Sequence, residues 1–235
     1  MKSKKLLVII GLLFAVTASQ AQDLEKIIER HIDAINAEKL TEFKSLTVKG
    51  SLMQQGMQLN LLMYEKSPDK IKIVTSLSDM EIVQVVNGDR GYTINPMTGS
   101  ASPVPMTPAQ ISSMKDNSML QSSLLNQYRA GEAEIIGEEE VNGKAAYKIK
   151  VPMAEADRYI FIDKESFYIT RVRMTVEQMG MEMTVDMQME DFEESSGVIL
   201  ARTINTYING QPGGRVTYES IDFNTEIDDS EFIIK

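Results

Sequence analysis

Apolar residues recur at every third or fourth position just after residue 22. Between Asp23 and Lys39 this spacing predicts one amphipathic helix, with Asp23 as its cap. His31 lies at the edge of the apolar stripe of that helix. We expect it to be a packed, hydrogen-bonded helix residue rather than a catalytic base, because the sequence has no second histidine and no cysteine to work with it.

From Leu46 onward apolar and polar residues alternate, which is typical of half-buried β-strands. Short turns such as Gln55-Gly56 and Asn142-Gly143 separate the alternating stretches. Connections this short join antiparallel neighbours, so the pattern predicts a mainly β protein with one large antiparallel sheet of about eleven strands. Glu231 to Ile234 is expected to be a last, short edge strand.

The alternating pattern is interrupted in the middle of the chain by a segment with helical spacing. Thr107 and Pro108 have the residue types of a helix N-cap and first turn, and apolar positions at helical spacing continue to about Arg129. Asp116-Asn117-Ser118 is a candidate break that would divide this insertion into two shorter helices. We expect the insertion to lie over the apolar face of the sheet.

The first 21 residues have the pattern of a secretory signal peptide. Three lysines precede an apolar core from Leu6 to Ala18, and small residues stand at Ser19 and Ala21. The core is too short to span a bilayer comfortably, so an uncleaved membrane anchor is the less favoured alternative. We therefore expect cleavage after Ala21, a single domain over residues 22–235 and a periplasmic location.

The composition excludes several classes of function. The chain has 24 Lys and Arg against 34 Asp and Glu, which argues against a nucleic-acid partner. It has no cysteine and one histidine, which excludes disulfides, Cys-ligated zinc and a multi-histidine metal site within one chain. No nucleophile–base motif is present either. We expect a non-enzymatic protein without a cofactor or metal.

Methionine is the distinctive residue of this sequence, which has 16 Met and no Trp. A strand would place one row of residues on a single face, because they share one parity: Met179, Met181, Met183, Val185, Met187 and Met189. Methionine is flexible and suits surfaces that accept variable apolar shapes. One interpretation is a face that binds lipid beneath movable helices. The other interpretation is ordinary core packing, in which methionine fills gaps, and the composition alone favours this second interpretation.

Arg171 and Arg173 stand two residues apart, so a strand would place both side chains on the same face. Pairing with acidic neighbours on an outward surface is the favoured interpretation. A site for an anionic head group is the alternative.

The order of these elements resembles that of the outer-membrane lipoprotein-sorting (LolA/LolB-like) superfamily, in particular its secreted members from Bacteroidetes-type bacteria. The resemblance covers nearly all of the chain from Asp23 to Lys235 and has no catalytic signature. The segments that carry it are Leu46–Ile73, Val85–Ser100, Ile162–Arg173, Gly197–Gln211 and Ile227–Ile234.

The resemblance implies an unclosed β half-barrel with helices on its concave side, and a carrier that holds acyl chains between sheet and helices. We therefore expect lipid or lipoprotein acyl chains as partners, with membrane-bound donor and acceptor proteins as further candidates. An envelope protein-binding or sensor module, with a cleft filled by its own helices, is the alternative. The residues expected to line the cleft are Leu59, Leu61, Met63, Ile73, Ile111, Met114, Leu120, Leu124, Met174, Met183, Val185 and Met187.

Overall fold

The computed structural model describes residues 23–120, 133–152, 157–178 and 181–233. Its strands form one antiparallel sheet of 13 strands. The strands are β1 (Ser45–Gln54), β2 (Met57–Lys66), β3 (Lys70–Leu77), β4 (Met80–Asn87), β5 (Arg90–Asn95), β6 (Ser100–Pro105), β7 (Glu134–Val141), β8 (Lys144–Pro152), β9 (Asp157–Asp163), β10 (Ile169–Gln178), β11 (Met181–Ser195), β12 (Val198–Ile208) and β13 (Gln211–Phe223).

Two meanders make up this sheet, β1 to β6 and β7 to β13, and they meet where β1 pairs with β13. Strands β6 and β7 are the two edges, so the sheet is not closed. The seam between β1 and β13 has a register shift at Lys49/Gly50, and a Cβ atom on Gly50 would overlap the carbonyl oxygen of Thr217. The predicted architecture, an open antiparallel half-barrel, is confirmed.

The predicted number of strands was too low, because β6 does not show the pattern of a strand. Pro103 and Pro105 lie within it and cannot donate to a ladder. An edge strand pairs on one side only and tolerates such residues, and Tyr92 of β5 lies opposite Pro105.

The predicted last strand is also wrong for the residues that the structure describes. A 3-10 helix occupies Asp229–Phe232, and the side chain of Asp228 accepts a hydrogen bond of 2.8 Å from the backbone N–H of Ser230. The segment turns in this way because Phe232 is buried against Val85 of β4.

The expected N-terminal helix is present as α1, residues 23–35, and it ends four residues before the predicted Lys39 because Asn36 takes a left-handed conformation and a 3-10 helix follows. Its buried side chains pack on β8 and β9, in a cluster formed by Leu24, Ile27, Ile28, Ile149, Val151, Ile160 and Ile162. His31 is buried, and its Nδ1 lies 2.8 Å from the carbonyl oxygen of Phe167. Burial lowers the pKa of His31, and this hydrogen bond only partly opposes the shift.

The inserted segment begins with α2, Pro108–Asp116, which has the expected cap. The Thr107 hydroxyl accepts from the backbone of Gln110, and the Gln110 side chain accepts from the backbone of Thr107. Ile111 packs against Ile71 and Val86 on the sheet. A short 3-10 helix at Ala37–Glu42 adds Leu40 to a cluster with Val198.

Both α-helices, α1 and α2, and the 3-10 helix at Ala37–Glu42 pack on one face of the sheet, which is its concave face. On the convex face, salt bridges and the C-terminal segment cover part of the sheet. Lys66 and Lys70 bind Asp229, and Lys72 binds Glu231, so residues 227–232 are held across β2, β3 and β4.

Candidate functional site

Strand register places the eight predicted cleft residues from β-strands on the concave face. Met63 lies between Val48 and Ile73 on neighbouring strands, which puts it in the layer beneath the helices. Met187 is paired with Val172, which packs under α1. Leu59 and Leu61 share the parity of Met63, and Met174, Met183 and Val185 share the face of Met187.

In the first meander Met63 and Ile73 are packed against the protein's own helical segment. Met63 is only 9% exposed and lies in a cluster with Leu46, Val48 and Ile221. Leu120 packs on that cluster, while Ile111 and Met114 of α2 pack over Ile71 and Ile73. This end of the predicted cleft is filled from within.

In the second meander the predicted residues form an apolar row that is only partly buried. Met174 lies opposite Val185, and Met183 lies opposite Val176. All four predicted residues of β10 and β11 are of intermediate exposure, and none belongs to a buried cluster of the described residues. The row is therefore apolar surface on the inside of the curve. The remaining predicted residue, Leu124, lies outside the described residues.

Glu65 is a concave-face residue that the sequence interpretation missed. It follows Met63 on β2 at the same parity, and it is only 2% exposed. Its carboxylate accepts hydrogen bonds from the Ser118 hydroxyl at 2.7 Å and from the backbone N–H groups of Met119 and Leu120 at 3.0 and 3.1 Å. It thus ties the end of the inserted segment to the sheet.

Burial raises the pKa of Glu65, and the three hydrogen bonds it accepts offset this only in part. Tyr218 of β13 lies on the same face. Its own burial, together with the charge of Glu65, raises the pKa of Tyr218 to about 12. A cavity of about 80 Å³, lined by Glu65, Leu40, Lys115 and Leu120 among others, lies beside this contact and has room for a few water molecules.

Arg158 of β9 is a second buried charged residue on the concave face, opposite Met174. Burial lowers the pKa of Arg158, and the negative charge of Asp116 at the end of α2 opposes that shift. The sequence signal for both charged residues is their parity, because each continues a row of apolar residues on its strand.

Arg171 and Arg173 lie on the convex face and are paired, as the favoured interpretation predicted. Arg171 binds Asp186, Arg173 Nε lies 3.0 Å from Asp186 Oδ2, and Arg171 Nη1 lies 3.2 Å from Glu139 Oε1. Burial by itself would raise the pKa of Asp186, but the bonds from both arginines outweigh it and the pKa is lowered.

A larger cavity of about 570 Å³ opens between α1 and the edge strand β7, away from the methionine row. Its wall combines charged residues such as Arg30 and Glu138 with Ile135 and Phe167. Among the described residues, no three His, Asp or Glu side chains are grouped as a metal site would require. No helix in the described part of the chain has the length and apolar character of a transmembrane span.

The fold defines the protein as an open antiparallel half-barrel with helices on its concave side. Similar solved structures include a DUF1329 family protein from Desulfovibrio piger, at a TM-score of 0.56 and 11% identity over 88% of this chain and 97% of that one. A LolA superfamily protein from Nitrosomonas europaea has a TM-score of 0.55 at 10% identity, over 86% of this chain and 96% of its own.

A protein domain assigned to outer membrane lipoprotein sorting, from Vibrio parahaemolyticus, has a TM-score of 0.54 at 10% identity. It covers 86% of this chain and 97% of its own. No protein-family model matches the sequence, and no curated protein matches it. The resemblance expected from the sequence is thus confirmed as a shared fold.

Proposed function

We propose that this protein is a non-enzymatic carrier or binding protein for lipid acyl chains, acting in the periplasm. The observation that carries the proposal is the half-buried row of Met174, Met183, Val185 and Met187 on the inside of the curved sheet. The signal-peptide pattern of the first 21 residues supports the location, and the sorting role assigned to the Vibrio domain of the same fold supports the cargo class.

Acyl-chain burial gives enough free energy for such a role. Each buried CH₂ contributes about 0.8 kcal/mol, so a chain of about 16 carbons gains on the order of 12 kcal/mol before ordering and association costs. Those costs cancel much of the gain, which leaves binding reversible. Flexible methionine side chains adapt to acyl chains of different length and shape.

A second candidate function is an envelope protein-binding or sensor module whose cleft is filled by the protein itself. The first meander favours it, because Ile111, Met114 and Leu120 already occupy the concave face there. The two candidates differ in what the second meander binds, so the decisive experiment addresses β11.

The test is uptake of a fluorescent fatty acid by the full-length mature protein. The variant Met183→Glu/Met187→Glu places two charges in the apolar row, and we expect uptake to fall by more than about tenfold, because a carboxylate next to an acyl chain must be desolvated or protonated. The matched control is Thr184→Glu/Gln188→Glu, which adds the same two charges on the convex face of the same strand.

Equal uptake by the two variants would contradict the proposed site. Native mass spectrometry of protein purified from membranes provides the second measurement, with bound lipid expected on the wild type. Wild-type protein that carries no lipid and takes up no fatty acid would favour the self-filled module.

A further inference from the structure

The turns of the sheet fall on two opposite edges, because neighbouring strands run antiparallel. The described connections at one edge are β1–β2, β3–β4, β5–β6 and β12–β13, and β11 begins at the same edge with Met181. The other carries β2–β3, β4–β5, β7–β8, β9–β10 and β11–β12. These two edges differ sharply in their side chains.

Every described connection on the first edge has a large exposed apolar side chain beside it. Met181, the first residue of β11, is 64% exposed, and Met80, after the β3–β4 turn, is 46% exposed. We call the set the methionine rim. Its members are Met53, Met57, Met80, Met97, Met181 and Ile208.

The opposite edge is polar and charged. Its turns contain Asp69, Asp89, Lys164 and Glu165, and Val104, the residue before the last of β6, is the exposed large apolar residue in the strand ends described there. Solubility alone therefore does not explain exposed methionines, since this fold closes equivalent turns with charged residues. The apolar rim is a feature of one edge.

The rim is continuous with the candidate cleft. Met57 begins the row that continues through Leu59 and Leu61 on β2, and Met181 begins the row of Met183 and Val185 on β11. An acyl chain leaving a bilayer at this edge would follow apolar side chains from the rim into the concave face.

The charge of the methionine rim indicates which kind of partner surface it would bind. The rim turns carry Gln54, Gln55, Asn209 and Gly210, with Asp79 as their charged residue, and the whole protein has a net charge of −10. Arg215, which is exposed and lies opposite Met53, is the described basic residue beside these turns, and a single such residue on an acidic protein gains little from anionic lipids. Single apolar side chains on separate hairpins suit insertion between lipid head groups better than one continuous protein interface.

We propose that the methionine rim docks on the surface of a lipid bilayer with uncharged or zwitterionic head groups and holds the open end of the cleft against it. The proposal rests on the acyl-chain function proposed above, and it adds where cargo enters or leaves. The partner is the bilayer itself.

The test uses phosphatidylcholine vesicles and the full-length mature protein. The rim variant is Met53→Asn/Met80→Asn/Met97→Asn, whose positions lie outside the two rows of the cleft, and the control variant is Val104→Asn/Ile233→Asn, which removes comparably exposed apolar side chains outside the rim. We expect vesicle co-flotation to fall on the order of 100-fold in the rim variant and to be unchanged in the control, because each inserted methionine adds buried apolar area. Both variants should melt like the wild type.

A tryptophan reporter keeps the apolar character of the rim, and the natural sequence has no tryptophan to interfere. The fluorescence of Met181→Trp should shift to the blue on addition of phosphatidylcholine vesicles, whereas that of Val104→Trp should not. Addition of phosphatidylglycerol to the vesicles should weaken binding at low salt.

Uptake of fatty acid from solution separates this proposal from the proposed function. The rim variant should take up fatty acid like the wild type while losing vesicle binding, and Met183→Glu/Met187→Glu should do the reverse. Three results would each overturn the docking proposal. They are unchanged co-flotation of the rim variant, no fluorescence shift of the tryptophan at residue 181, and self-association or protein capture through the rim in place of vesicle binding.

Discussion

The two meanders present similar apolar residues on the same concave face, but they differ in what covers them. In β2 and β3 the residues Met63 and Ile73 lie under α2 and Leu120, and Glu65 holds that segment down through three hydrogen bonds. In β10 and β11 the equivalent row is half-buried, and the strong polar contacts of Arg171 and Asp186 lie on the convex side. The row of the first meander is part of a core, whereas the row on β10 and β11 is a half-buried apolar surface.

The difference teaches that methionine has two roles in one sheet. Met63 fills a core position, whereas Met183 and Met187 lie in an apolar row that is only partly buried. A single substitution made in both meanders measures this directly.

The largest expected contrast is between Met63→Ala and Met187→Ala. Removing a buried methionine leaves a cavity, so Met63→Ala should lower the free energy of unfolding by about 3 kcal/mol. Met187→Ala should cost about 1 kcal/mol or less, because its side chain is already partly exposed. Urea unfolding of both variants checks the contrast, and equal losses would break the distinction between core and surface.

A smaller effect is expected at the convex contact that supports β10 and β11. Asp186→Asn removes a charged acceptor shared by Arg171 and Arg173 and should lower the free energy of unfolding by about 2 kcal/mol. The pKa of Asp186 is lowered in the folded protein, so its contribution is present above the unfolded value of about 3.9 and is lost as the pH falls through the folded pKa.

Thermal melts of wild type and Asp186→Asn at several pH values test this sign. The wild-type advantage should be constant near neutral pH and should disappear in acid. Fatty-acid uptake by Asp186→Asn should persist at neutral pH, because the side chain lies on the face opposite the candidate site. An advantage that grows in acid would contradict the assignment.

The smallest effect is the pH dependence of the Glu65 contact in the first meander. The raised pKa of Glu65 means that the folded protein keeps this proton to a higher pH than the unfolded chain does. The stability of the wild type relative to Glu65→Gln should therefore fall as the pH rises from the unfolded value of about 4.3 through the folded pKa, and then level off.

Melting temperatures of the two proteins across this range measure the slope. Tyr218 loses its interaction with the Glu65 charge in the variant, but the pKa of Tyr218, about 12 in the wild type, lies far above this pH range, so its titration does not enter the comparison. A flat difference, or one that rises with pH, would show that Glu65 does not titrate in the way its burial implies.

Alternation along the strands was enough to predict the sheet and the face of the methionine row. A residue two positions along a strand must share its face, so Met183, Val185 and Met187 could be assigned together. Alternation could not show that one row is covered by α2 and the other is not, because cover depends on contacts between distant segments.

The features that the sequence interpretation did not predict also have specific causes. Pro103 and Pro105 conceal β6, since sequence alone does not tell that it lies at an edge. Glu65 has the charge of a surface residue, and only the position of Ser118, Met119 and Leu120 makes it a buried acceptor.

The seam at Gly50 has a consequence for how the molecule forms. Every other strand pairing joins neighbours along the chain, whereas β1 and β13 come from its opposite ends. Local hairpins form quickly and distant pairings slowly, so each meander can assemble by itself while the seam completes the curve in a late step. No side chain larger than hydrogen fits where Gly50 approaches Thr217, so the last zipping step depends on a residue with no side chain at all.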